Sequence, residues 1–124
     1  MSKHIKDADV VHNLAGITDV AYVKKDSDDF RDERIKKVAI EGTRNVLNSM
    51  NKKAKIVFPS THVVFEGLKI PKKDIDENEP TNTFLAYSSS KVENEKQIIK
   101  SGKNYVIFRL GSVYGFSTDT MRIN

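Results

Sequence analysis

Three short apolar runs separated by two long amphipathic stretches constrain what this chain can fold into. Val10 to Leu14, preceded by Asp7-Ala8-Asp9 and stopped by Ala15-Gly16, reads as a short buried strand. From Asp32 to about Met50 the positions Ile35, Val38, Gly42, Val46 and Met50 recur at threes and fours, which is one face of an amphipathic helix. Ile56-Val57-Phe58 is the second apolar run, and Pro59 is expected to mark its end. A second helix is expected from about Phe84 to Lys100, with Leu85, Ser88, Val92 and Ile99 on one stripe and Gly102 as its stop. Tyr105 to Leu110 is the third run, followed by a turn rich in glycine at Gly111-Ser112-Val113-Tyr114-Gly115. Between Phe65 and Thr83 lie charge, two prolines and little periodicity, so a long surface loop is expected there, lying over any site the fold builds. Strand, helix, strand, helix, strand implies parallel strands joined by right-handed crossovers, hence an α/β chain forming part of a doubly wound, Rossmann-like sheet.

Composition bounds the rest. The 124 residues, 38% of them hydrophobic, suffice for one modest core, and with no repeat or linker the expectation is a single partial domain over 1–124. The absence of cysteine excludes disulfides and thiolate metal sites and fits a reducing compartment. No apolar segment approaches a membrane span and the first residues are too polar for a secretory signal, so a cytoplasmic protein without membrane partners is expected. The net charge of +4 comes from lysines scattered among acidic residues, as in Lys24-Lys25-Asp26, without an arginine-rich or aromatic-interleaved stripe. That pattern is a solvated face and argues against nucleic acid as a partner.

The residues with chemistry all fall at the carboxyl ends of the predicted strands, where open α/β sheets bind ligands. They are Asn13, Leu14, Ala15 and Gly16 after the first strand, Ser60-Thr61 after the second and Ser112 after the third. Tyr87 and Lys91 stand four residues apart in Tyr87-Ser88-Ser89-Ser90-Lys91, one helical turn. A phenol titrating near ~10 is a poor acid or base at neutral pH, and a neighbouring ammonium favours its phenolate, which is the chemistry of hydride transfer. Yet no glycine-rich dinucleotide loop, G-x-G-x-x-G or G-x-x-G-x-x-G, occurs in the sequence. Simpler readings stand beside these: Ser60-Thr61 as a strand-end turn, and His62 as a loop histidine. His4, His12 and His62 lack metal-binding spacing, so no metal site is expected, and no Gly-x-Ser-x-Gly elbow supports a hydrolase.

Taken in order, the motifs resemble the extended short-chain dehydrogenase/reductases, the NAD-dependent epimerase/dehydratase family of nucleotide-sugar enzymes. Asp9-Val10-Val11-His12-Asn13-Leu14-Ala15-Gly16 is similar to the family's fourth strand, and Glu41-Gly42-Thr43-Arg44-Asn45-Val46-Leu47 to the helix after it. Ser60-Thr61-His62-Val63-Val64-Phe65-Glu66-Gly67 is similar to the segment carrying the catalytic Ser or Thr, with wording like the dTDP-4-dehydrorhamnose reductase branch. Arg109-Leu110-Gly111-Ser112-Val113-Tyr114-Gly115 is similar to the strand and turn after the Tyr-Lys helix.

The resemblance implies NAD or NADP as cofactor and a nucleotide-sugar as substrate. Thr61, Tyr87 and Lys91 would be the catalytic set: Tyr87 moving the proton at a sugar oxygen, Lys91 lowering its pKa and bonding the nicotinamide ribose, Thr61 holding the same oxygen. Asn13, Leu14, Ala15 and Gly16 would meet the cofactor mainly through backbone, and Ser60, Thr61, His62 and Ser112 would face the substrate. Against the family pattern, Ala39 and Ser112 stand where asparagines are usual and Phe116 replaces a proline. The family's first three strands and its glycine-rich loop have no counterpart here, so the expectation is a middle portion of a longer enzyme, inactive by itself. The alternative is a catalytically degenerate or partner-dependent module of the same fold, and a homodimer of the full-length enzyme is compatible with either.

Overall fold

The computed structural model of the chain describes residues 2–17, 29–68, 74–112 and 115. Helix α1 (Ser2–Lys6) leads into strand β1 (Val10–His12). Helix α2 (Asp29–Lys36), a π-helical turn (Lys37–Glu41) and helix α3 (Gly42–Ser49) then run on to strand β2 (Lys55–Thr61). A 3-10 turn (His62–Phe65), helix α4 (Ala86–Lys100) and strand β3 (Asn104–Leu110) complete the order. The strands form one parallel sheet in the order β1-β2-β3, in register Val11 to Ile56 and Phe58 to Ile107. This is the expected partial Rossmann-like sheet.

Both crossovers pack on one face of the sheet. Leu47 and Met50 from the α3 side, Ile98 from α4, and Ala54, Ile56 and Phe58 form the buried core, with Ile5, Val11, Val46 and Ile107 packed around it. By the register, Val57, Pro59 and Thr61 share the opposite face with Val10, Phe108 and Leu110, and Val10, Phe108 and Leu110 are each close to half exposed. A parallel sheet normally covers both faces, and here among the described residues one is bare.

Several expectations shift in detail. β1 ends at His12, two residues before Leu14. Pro59 does not end the second run but lies inside the central strand, and the register explains why it is tolerated. Lys55 N donates to Asp9 O (2.8 Å) and Asn13 N to Val57 O (3.0 Å), so odd-numbered residues of β2 turn their peptide groups toward β1. At Pro59 that side has already passed the end of β1, and the donor proline lacks is not needed there.

The first long helix is interrupted. The π-helical turn adds one residue, which moves the buried stripe from the expected Val38, Gly42 and Val46 to Thr43 and Leu47. Val38 is 44% exposed in consequence, whereas Thr43 is 2% exposed. On α4 the stripe is also one residue off: Ile98 is fully buried and Ile99 is 53% exposed. The expected start at Phe84 moves to Ala86, while Gly102, at φ 68, provides the expected left-handed stop. Residues 69–73 of the expected loop and Val113, Tyr114 and Phe116 lie outside the described residues.

The register of α4 is testable with adjacent truncations. Ile98→Ala should cost about 2–5 kcal/mol in urea unfolding, and Ile99→Ala no more than about 0.5 kcal/mol. Equal costs would contradict the packing described.

Candidate active site

Helix α4 carries Tyr87 and Lys91 on one side, and the two face the segment after β1 across a narrow cleft. Its walls are Leu14, Ala15, Gly16 and Ile17 on one side and Phe58, Tyr87, Ser90, Lys91 and Asn94 on the other, with Ile35 and Ala39 below. Ala39 reaches this cleft from the π-helical turn. Gln97 of α4 holds that turn from outside, donating through Nε2 to Ile40 O (3.3 Å).

Lys91 is fixed by the peculiarity of β2. Its Nζ donates to Pro59 O (2.7 Å), a carbonyl that lies beyond the end of β1. The ammonium lies 4.7 Å from the Phe58 ring centre and 5.7 Å from that of Tyr87, within cation–π range of both. Burial lowers the Lys91 pKa, and the charge of Glu95 opposes that shift. Burial pushes the Tyr87 phenol up. The direction at Tyr87 is set by its burial and is opposite to the lowering expected from Lys91, whose ammonium donates to Pro59 O.

Glu95, one further turn along, ties α4 to the sheet. Ser60 Oγ donates to its Oε1, Arg109 Nε donates to Oε1 (3.2 Å) and Arg109 Nη2 to Oε2 (2.7 Å). Arg109 Nη1 also donates to Glu77 O (2.9 Å), and its guanidinium stacks 5.2 Å from the Phe65 ring centre. The hydrogen bonds to Glu95 hold the Arg109 pKa up. A wider cleft of about 490 Å³ opens beside this pair, lined by His62, Val63, Phe65, Glu66, Ile75, Asp76, Glu77 and Arg109. The expected loop thus lies over this second cleft, while the Tyr-Lys pair faces the first.

Of the residues singled out in the sequence, Leu14, Ala15, Gly16, Tyr87 and Lys91 come together in the narrow cleft. Asn13 is buried, and its side chain is turned away to donate to Thr43 Oγ1 (3.1 Å). Ser60 is buried with its proton committed to Glu95. Thr61 Oγ1 accepts from Val63 N (3.2 Å), so the strand-end turn is formed, yet the hydroxyl retains its own proton to donate. His62 Nδ1 lies 3.0 Å from Leu110 O and the ring lines the wider cleft. Ser112 is exposed beyond β3.

The family model described as the RmlD substrate binding domain matches residues 2–122. The chain belongs to this family. No curated protein matches it. Among solved structures, a dTDP-4-dehydrorhamnose reductase of Clostridium acetobutylicum is similar at 27% identity with a TM-score of 0.73, over 96% of this chain and 41% of that one. A UDP-glucuronic acid 4-epimerase of Bacillus cereus, in complex with NAD, is similar at 24% identity with a TM-score of 0.69, over 92% and 35%. RMD of Pseudomonas aeruginosa, complexed with NADPH, is similar at 22% identity with a TM-score of 0.68, over 90% and 40%. This member of the RmlD family therefore spans 33% to 41% of the length of these three and of five further solved structures that it resembles.

In this RmlD-family chain the sequence reading did not single out Glu95, Asn94, which lines the narrow cleft, or Glu66, which accepts from Phe84 N and Leu85 N. Glu95 was legible, since Tyr87, Lys91 and Glu95 follow one another at four-residue intervals on one helix face. Glu66 was not, because its partners lie 18 to 22 residues away.

Two measurements check the site. Glu95→Ala removes the partner of both Ser60 and Arg109 and should cost about 3 kcal/mol, the low end for a broken buried pair because the Arg109 side chain is 21% exposed. The raised Tyr87 pKa means that the folded chain holds the phenol proton more tightly than the unfolded one. That contribution is complete below the ordinary value of 10.0 and is lost as pH rises through the folded value. Between about pH 9 and about pH 11, urea unfolding of Tyr87→Phe should therefore show a shallower loss of stability than the parent; parallel slopes would contradict the burial.

Proposed function

We propose that this chain is the active-site portion of an NAD(P)-dependent nucleotide-sugar reductase, epimerase or dehydratase, in which Tyr87 is the general acid/base. The observation that carries the reading is the placement of Tyr87 and Lys91 on one side of α4, facing Leu14–Gly16 across the cleft at the carboxyl end of the sheet. The match to the RmlD family and the likeness to enzymes solved with NAD or NADPH support it.

The cleft encloses about 20 Å³, room for one water, so the nicotinamide-ribose end of such a cofactor enters only as its two walls move apart; the residues on those walls carry the chemistry such a group requires. The cleft offers an ammonium and a phenol on one wall and a small-residue backbone on the other, and at Gly16 a Cβ would meet nothing within 4 Å. When bound, the nicotinamide supplies the hydride acceptor or donor. Lys91, already anchored by Pro59 O, has two further N–H donors for ribose hydroxyls, and its charge favours the Tyr87 phenolate once a ligand redirects it. Tyr87 gives or takes the proton at the sugar oxygen. Thr61 donates to that same oxygen, its Oγ1 being held in place by Val63 N, so two donors stabilise the charge that develops there. Ser112 and His62 stand on the substrate side, His62 with its Nδ1 engaged by Leu110 O, while Ser60 acts through Glu95.

In an enzyme joining this chain to a glycine-rich strand-turn-helix, Tyr87→Phe should lower kcat by about 10²–10⁴ with nucleotide binding retained. Unchanged turnover would overturn the assignment. The chain by itself lacks a loop to seat the pyrophosphate and should give no nucleotide-sugar oxidation; measurable turnover by it would contradict this.

A second reading, a partner-dependent module of the same fold, is favoured by the bare sheet face, where Val10, Phe108 and Leu110 are 47%, 49% and 47% exposed. A well-behaved monomer in size-exclusion chromatography would count against it.

A further inference from the structure

Helix α4 begins without a cap of its own. Leu85 occupies the N-cap position and its side chain makes no capping hydrogen bond. The need is met from a distance. Glu66, just after the 3-10 turn that follows Thr61, accepts through Oε1 from Phe84 N (2.9 Å), from Leu85 N (2.8 Å) and from Ser88 Oγ. Engaging the N-cap amide and the third helical residue is what a capping box does locally, and a carboxylate at this end also complements the helix dipole. The chain around Glu66 is fastened in the same direction. Asn82 N donates to Val64 O (2.9 Å), Gly67 N to Asn82 O (2.8 Å) and Asn82 Nδ2 to Gly67 O (2.8 Å). The fit is close enough that a Cβ on Gly67 would lie 2.6 Å from Asn82 Oδ1 and 3.0 Å from Asn82 O.

This clasp joins the two segments that carry the proposed proton-handling groups. On one side, Thr61 is followed directly by the 3-10 turn and Glu66; on the other, Phe84 and Leu85 are followed by Ala86 and then Tyr87. The sheet fixes Thr61, and Lys91 and Glu95 fix the middle of α4, but Tyr87 sits in the first helical turn, where helices fray. We propose that Glu66 is a positioning residue, whose carboxylate holds the first turn of α4 so that Tyr87 is set beside Lys91 at the narrow cleft. The inference rests on the assignment of Tyr87 as the acid/base for its catalytic meaning, though not for its geometry.

The test uses the full chain with ¹³C-labelled tyrosine rings, the Tyr87 signal being assigned from Tyr87→Phe. Glu66→Ala should speed amide exchange at Phe84 and Leu85 by about tenfold, shift the Tyr87 ring signal and bring its titration midpoint down toward that of an exposed tyrosine, with Ile98 and Phe58 signals unmoved. Glu66→Gln keeps an oxygen at the same reach and should leave the Tyr87 signal close to the parent's. Faster exchange at Phe84 and Leu85 with an unmoved Tyr87 ring would overturn the proposal, and so would no change in either. If Glu66→Ala does not fold, Glu66→Asp, shorter by one methylene, is compared with Glu66→Gln: displacement of the ring signal in Asp but not in Gln supports the positioning role, and parent-like signals in both overturn it. Failure of the acid/base reading shows elsewhere, as turnover surviving Tyr87→Phe in the longer enzyme, and leaves these ring signals as they are.

Discussion

Glu95 accepts from Ser60 at the end of β2 and, through both carboxylate oxygens, from Arg109 on β3, so α4 is pinned to two strands at the end of the sheet where the cleft opens. A carboxylate this buried is costly unless every lone pair is engaged by a donor, and here a hydroxyl and a forked guanidinium engage it. The placement of Lys91 follows from that pin. One turn back along the helix, its ammonium meets Pro59 O, a carbonyl of β2 that lies beyond the end of the short β1 strand. Tyr87, another turn back, is carried to the mouth of the same cleft.

The opposite wall is set by interruptions of regular structure. β1 stops after three residues, which frees Leu14, Ala15 and Gly16 to line the cleft. The π-helical turn at Lys37–Glu41 rotates the following helix so that Ala39 rather than Val38 faces inward and Thr43 meets Asn13. A straight helix would bury a different stripe. Local irregularity of this kind is common where a fold builds a site, because regular elements turn their side chains at fixed angles that seldom converge on one point.

Much of the fold was legible in the sequence. Apolar runs bounded by Gly, Pro and charge mark strands, threes and fours mark helices, and their alternation leaves the parallel crossover as the workable arrangement. The ends were less legible. Pro59 signals a strand terminus by its own chemistry, and only the length of the neighbouring strand reveals that its missing donor is harmless. The one-residue shifts at Val38 and Ile99 come from a helical insertion and from packing, neither of which has a residue-level signature. In the candidate site the Tyr87-Lys91-Glu95 spacing could be read directly, whereas the commitments of Ser60, Asn13 and Glu66 could not.

The sequence by itself determined the class of sheet, the family-like order of motifs and the helix face that presents a phenol and an ammonium together. These are properties of periodicity and of residue type, carried by stretches short enough to act locally. Tertiary structure decided which of the polar groups remain available for chemistry. Ser60 and Thr61 are adjacent and chemically alike, yet the hydroxyl of one donates to a carboxylate 35 residues away and that of the other accepts from the backbone two residues on. Successive residues of a strand face opposite sides of the sheet, and what waits on each side is brought there only by the fold.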